Sequence, residues 1–168
     1  MSQHPFDYLS LGEGQGRLIL TPCPGTKEAT LDASLTQLGE AGAAAVLTLM
    51  PEAEMEKHRV TAMPELCRAL GLAWFHLPVE DDAAPEGAFE QAWSEARDEV
   101  LALLAQGRDI AIHCKGGSGR TGLMAAIILL ALEVPLSEAV QRVQALRPKA
   151  LCLPAHRSYI EALEGPAG

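Results

Sequence analysis

At 168 residues, 48% of them hydrophobic and only 4% aromatic, the chain is long enough to bury one sizeable core of Leu, Ala, Val and Ile. Its net charge of −9 at pH 7 argues against nucleic acid and anionic membranes as partners, because both attract basic surfaces. The longest apolar run, Leu123 to Leu132, is too short to cross a bilayer. Met1 to Gly14 lacks the basic start and apolar centre of a signal peptide, so the cytoplasm is the expected compartment.

Taken in chain order, residues 1–16 and 165–168 are candidates for loose ends of a single domain spanning 1–168. Arg17 to Thr21 reads as a strand, closed by the turn residues Pro22 to Gly25. Leu31, Leu35 and Leu38 recur at helical spacing up to Gly39 and Gly42. Ala45 to Met50 reads as a buried strand, and Val60 to Leu70 as a helix that ends near Gly71 and carries an awkward Pro64. Ala73 to Leu77 is a further strand. Phe89, Trp93, Ala96, Val100, Leu103 and Leu104 share one face of a long amphipathic helix that stops at Gly107. Asp109 to His113 is the next strand, and Leu123 to Leu132, apolar all round, is a central helix. Leu136, Val140, Val143 and Leu146 mark another helix, with Ser137 as N-cap and Pro148 beyond its end; a last helix runs from Pro154 to Leu163. Strands alternating with helices predict an α/β fold with a mainly parallel central sheet and helices on both faces.

The most informative segment joins the strand ending at His113 to the central helix: His113-Cys114-Lys115-Gly116-Gly117-Ser118-Gly119-Arg120-Thr121-Gly122. A glycine-rich loop that opens onto a helix N-terminus offers unpaired N–H groups and a favourable dipole to an anion. Gly116, Gly117 and Gly119 allow the N–H groups of Lys115 to Arg120 to turn inward as a phosphate-sized nest. Arg120 can close the nest by holding two oxygens with its guanidinium fork. Cys114 sits under these donors, in surroundings that favour the thiolate, which is the nucleophilic form. The Gly-x4-Gly-Lys-Ser/Thr pattern of a nucleotide-binding P-loop is absent.

This segment resembles the signature of cysteine-dependent protein phosphatases: His-Cys, five residues, Arg, then Ser or Thr. The resemblance implies a phosphotyrosine phosphatase-like fold and a two-step reaction without metal or cofactor. In it, Cys114 becomes phosphorylated and water then hydrolyses the phosphocysteine. It further implies that Lys115 to Arg120 bind phosphate, that Thr121 eases departure of the sulfur, and that His113 supports the ionised cysteine from behind. Related phosphatases carry their general acid on a loop with proline, two residues, Asp and a later proline. On that register Pro78 and Pro85 are the anchors and Asp81 is the acid, with Asp82 the neighbouring alternative. The combination of Cys23-Pro24-Gly25-Thr26-Lys27 after the first strand, the Asp81 loop and the signature makes the chain similar to the cyclin-dependent-kinase-associated phosphatase group of dual-specificity phosphatases. That resemblance implies a phosphorylated protein substrate, with a kinase as a candidate partner. The shortness of the chain implies a shallow pocket open to phosphoserine and phosphothreonine as well as phosphotyrosine.

Cys23, Cys67, Cys114 and Cys152 form no CxxC pair, and the histidines show no ligand spacing, so no metal is expected. Cys23 and Cys67 read as buried apolar side chains. Where related enzymes carry Gln or Glu, Thr and Gln after an Arg-Pro pair, Arg147-Pro148 is followed here by Cys152, Leu153 and His156. That places Cys152 as a candidate redox partner of Cys114. Three other readings stay open: a catalytically weak phosphoprotein- or kinase-binding module, a phosphoinositide phosphatase suggested by Lys115, and another thiolate enzyme such as an RNA 5′-triphosphatase or arsenate reductase.

Overall fold

A computed structural model of the chain describes residues 4–27 and 29–164. The elements in order are β1 (Asp7–Leu9), β2 (Leu18–Thr21), α1 (Leu31–Glu40), β3 (Ala43–Thr48), α2 (Glu52–Lys57), α3 (Met63–Ala69), β4 (Ala73–His76), α4 (Gly87–Ala105), β5 (Asp109–His113), α5 (Gly119–Ala131), α6 (Leu136–Leu146) and α7 (Pro154–Glu164). The sheet order is β1-β2-β5-β3-β4. Only β1 is antiparallel to its neighbour; β2, β5, β3 and β4 run parallel.

The three central strands are apolar on both faces, and their alternate residues feed two cores. Leu18, Leu20, Ala45, Leu47, Ile110 and Ile112 face α4, α5, α6 and α7, whereas Ile19, Val46 and Ala111 face α1 and α3. The expected helices on both faces of a mainly parallel sheet are present. Registry aligns Thr21 and Thr48 with His113, so three strands end at one level where β5 hands over to the glycine-rich loop. Ligand sites in open parallel sheets lie outside such carboxyl ends.

Several local expectations change. Asp7–Leu9, inside the segment taken as a loose end, pairs with β2 and buries Leu9. Residues 165–168 lie outside the described residues. Pro64 interrupts nothing, because α3 begins at Met63 and proline is tolerated in a first turn. Ser137 is not the N-cap of α6: the helix already starts at Leu136 behind Pro135. Cys23 and Cys67 are both fully buried thiols, and burial pushes each up to about 12.

Candidate active site

The nucleophile candidate sits where β5 ends. Cys114 is 3% exposed. Its Sγ accepts hydrogen bonds from the Gly117 N–H at 3.3 Å and from the Thr121 hydroxyl at 3.2 Å. Donors converging on sulfur suit an anionic acceptor. Thr121 is the third residue of α5, not its N-cap, which is Ser118, so its hydroxyl is available to the sulfur. The first N–H groups of α5 lack intrahelical acceptors, as at any helix start, and follow directly on this loop.

Gly117 sets the curl of the loop. Its φ is +79°, and a Cβ there would stand 2.6 Å from Pro22 N and 2.7 Å from Thr21 C, so no side chain fits. Its carbonyl accepts Arg147 Nε at 2.7 Å. The loop is tied to the turn after β2 as well, because the Cys23 N–H donates to the Lys115 carbonyl at 3.0 Å. Lys115, Ser118 and Gly119 are half-buried and Gly116 is exposed.

Arg120 is 2% exposed, and its donors divide into two sets. Nη1 and Nη2 form an end-on fork on the Glu54 carboxylate, each at 2.8 Å, and Nη1 also donates to the Val79 carbonyl at 2.9 Å. Nε is buried without a hydrogen-bond partner among the described residues. A guanidinium carries five N–H groups, so three are used and the side fork, Nε–H with one Nη2–H, is left for an anion. Burial alone would lower the affinity of Arg120 for its proton, but Glu54, Cys114 and Asp81 together raise it above the ordinary value. In return the hydrogen bond from Arg120 holds the Glu54 carboxyl below its usual range. Glu54 was not expected as a site residue. It lies in Glu52-Ala53-Glu54-Met55-Glu56, where nothing in the pattern separates it from its acidic neighbours.

The Asp81 carboxylate stands beside that open fork, Oδ1 lying 3.6 Å from Arg120 Nε, with its side chain 71% exposed. Asp82 occupies a left-handed position in the same turn, φ +61°. Neither caps α4, whose N-cap is Glu86 with no side-chain bond.

His113 is fully buried behind the loop, and burial lowers it to about 4. It is therefore neutral at pH 7. Because a carbonyl can only accept, Nδ1 carries the proton and donates to the Cys114 carbonyl at 3.1 Å. Nε2 then accepts from the Thr48 hydroxyl at 2.8 Å, which itself accepts from Trp74 Nε1 at 2.8 Å. His113 can thus hold the Cys114 backbone by a hydrogen bond, but brings no positive charge to the sulfur.

Cys152 is exposed, its Sγ lying near the Pro148 carbonyl and the Gln144 amide at 3.7 and 3.9 Å. Burial is the dominant cause of the raised Cys23 thiol, opposed in part by the nearby charge of Lys115.

A family model described as "Polymorphic toxin system, DSP-PTPase phosphatase" matches residues 22–133. Cyclin-dependent kinase inhibitor 3 of Rattus norvegicus is 32% identical over 111 residues, covering 66% of this chain and 50% of that protein. The chain spans about half the length of the curated relatives it matches. A crystal structure of kinase associated phosphatase, with its catalytic cysteine replaced by serine, shares the fold at TM-score 0.84. It is 24% identical and covers 97% of this chain and 95% of that one. The active form of Tk-PTP matches at TM-score 0.73 and 22% identity, covering 95% and 97% of the two chains. Together with a cysteine whose sulfur accepts two hydrogen bonds at the start of a glycine-rich loop, these likenesses establish that the chain belongs to the DSP-PTPase phosphatase family described for polymorphic toxin systems, as a cysteine-dependent phosphatase of dual-specificity type similar to kinase associated phosphatase.

Proposed function

We propose that the chain is a protein phosphatase, hydrolysing phosphotyrosine together with phosphoserine and phosphothreonine through a phosphocysteine on Cys114. The observation that carries this reading is the side fork of buried Arg120, whose Nε has no hydrogen-bond partner among the described residues and meets only the Asp81 carboxylate, at 3.6 Å. A phosphate held on that fork and on the inward N–H groups of the loop lies over the sulfur. The Cys114 thiolate attacks phosphorus, and the P–S bond forms as the bond to the leaving oxygen breaks. Asp81, in its acid form, gives its proton to that oxygen. Water then attacks the phosphocysteine, Asp81 takes a proton back, and inorganic phosphate leaves. The Thr121 hydroxyl, 3.2 Å from Sγ, stabilises the returning sulfur anion.

The 71% exposure of the Asp81 side chain supports a shallow mouth, which short phosphoserine and phosphothreonine side chains can reach. The likeness to kinase associated phosphatase supports a phosphoprotein as substrate and a kinase as partner. The net charge of −9 disfavours phosphoinositide surfaces.

The test is a panel of phosphotyrosine, phosphothreonine, phosphoinositide and RNA 5′-triphosphate substrates. Wild type should turn over the phosphopeptides, and Cys114→Ser should abolish turnover while still binding tungstate. A Cys114→Ser variant that keeps turnover removes the nucleophile assignment. Asp82→Asn impairing poor leaving groups while Asp81→Asn does not would move the acid by one residue.

A further inference from the structure

The turn that presents Asp81 is held at two shoulders. On the near side, the Val79 N–H donates to the Leu49 carbonyl at 2.9 Å and the Val79 carbonyl accepts Arg120 Nη1 at 2.9 Å. Between the shoulders, Glu80, Asp81 and Asp82 are exposed, and the turn closes on itself by Ala83 N–H to Glu80 O at 3.2 Å. On the far side, His156 of α7 donates Nε2–H to the Ala83 carbonyl at 2.8 Å. Among the described residues, no other hydrogen bond ties the backbone of residues 80–83 to the rest of the protein.

His156 is an expensive way to fill space. It is 1% exposed, and its Nδ1 is buried with no partner among the described residues. A buried polar atom without a partner destabilises, so leucine or phenylalanine would serve packing better than this ring. Burial also lowers the affinity of His156 for a proton, which leaves a neutral ring with one donor, and that donor is spent on Ala83. Since the carbonyl can only accept, the assignment of the proton to Nε2 follows.

We propose that His156 is a positioning residue: its single hydrogen bond from α7 to the Ala83 carbonyl pins the far shoulder of the turn and so fixes the reach of the Asp81 carboxyl toward the leaving oxygen. The inference rests on the assignment of Asp81 as general acid. His156 does not touch the phosphate; it acts through the backbone two residues beyond Asp81. Asp82 holds a left-handed φ of +61° in the same turn, a specific backbone arrangement that the far shoulder helps to fix.

The experiment compares wild type with His156→Leu, His156→Gln and His156→Asn on two aryl phosphates, one with a good leaving group (4-nitrophenyl) and one with a poor one (phenyl). Loss of a proton donor's alignment penalises the poor leaving group most. His156→Leu should lower kcat/KM on phenyl phosphate about tenfold to a hundredfold, part of the roughly 10²–10⁴-fold that a general acid contributes, and on 4-nitrophenyl phosphate by less than about threefold. Gln places an amide N–H near the Nε2 position and should restore most of the loss; Asn is too short and should not. In an Asp81→Asn background, His156→Leu should add little. Tungstate affinity, which reads the glycine-rich loop, should be unchanged in all three variants.

Equal losses on both substrates, no loss on either, or a Gln variant as impaired as Leu would each overturn the proposal. Should His156→Leu not fold, the contrast between Gln and Asn decides by the same criterion. A wild-type protein inactive on both substrates would sink the phosphatase reading and this inference with it. An active wild type whose His156 variants show no leaving-group dependence sinks only the inference.

Discussion

On the proposed reading, the peptide between Gly117 and Ser118 sets how the loop presents its N–H groups to a phosphate. In a trans peptide the carbonyl and the following N–H point to opposite sides. Arg147 draws the Gly117 carbonyl outward with Nε at 2.7 Å, so the Ser118 N–H turns inward. The same guanidinium donates Nη2 to the Leu20 carbonyl at 3.1 Å and Nη1 to Asp7 at 2.8 Å, bracing the loop against two strands. Lysine keeps the charge but cannot hold divergent acceptors with a planar fork. Arg147→Lys should therefore weaken tungstate binding and lower kcat/KM by about tenfold, the scale of one lost charged hydrogen bond of roughly 1.5 kcal/mol. Asp7→Ala removes only the outer arm and should leave tungstate affinity unchanged. Titration by calorimetry checks both, and an unaltered affinity in Arg147→Lys would show that the loop holds its shape unaided. Glu54 works in the same manner on the opposite wall, since its carboxylate occupies one fork of Arg120 and so aims the other.

At the scale of elements, α5 carries the loop, and its depth makes the loop rigid. Residues Arg120 to Leu129 are all buried, and the start of the helix approaches the chain after α6 at Gly122. A Cβ there would meet the Ala150 Cβ at 2.4 Å and Val143 Cγ1 at 3.1 Å. Gly122→Ala should cost about 1–3 kcal/mol by overpacking and should shift Arg120 and Thr121, its immediate neighbours. Chemical denaturation reads the first effect and tungstate affinity the second; a variant as stable as wild type would mean that α6 and the chain after it yield freely. The same depth made this region legible. A continuous apolar run after a glycine-rich loop, led by a short apolar strand, has few structural solutions. Strand β1 and helix α2 were not legible, because three and six residues are too few to show a period. In α2 only Met55 is buried, within a run that otherwise reads as solvated charge. Glu54 became a site residue through the fold, which sets α2 beside Val79 and Arg120. The far-shoulder contact of His156 spans 73 residues and left no local mark either.

Across the whole molecule, three of the five histidines are buried and share one electrostatic consequence. His4, His113 and His156 all lie below their ordinary value, each chiefly because burial disfavours the charged form. Well above pH 6.5, from about pH 7.5, these rings are neutral in both folded and unfolded chains and contribute no pH dependence. Below it the unfolded chain takes up protons that the folded protein refuses, so stability falls as pH falls. For His113 the window runs from 6.5 down to about 4, and that difference of about 2.5 units corresponds to roughly 3 kcal/mol. Glu54 acts in the same direction at lower pH. Its hydrogen bond to Arg120 depresses it, so its contribution is present above its ordinary value of 4.5 and is lost as pH drops through the folded value. The protein should therefore lose stability steadily between pH 6.5 and 4, with net proton uptake on unfolding at pH 5. Urea unfolding at pH 7.5 and pH 5, with wild type beside His113→Gln, reads this directly. The variant should be less stable at pH 7.5, having disturbed the bonds to Thr48 and the Cys114 carbonyl, yet show a shallower decline toward pH 5, because one refused proton is gone. Equal slopes in the two proteins would mean that His113 accepts a proton in the folded state, and that the neutral link between Trp74, Thr48 and the cysteine backbone is not the resting arrangement.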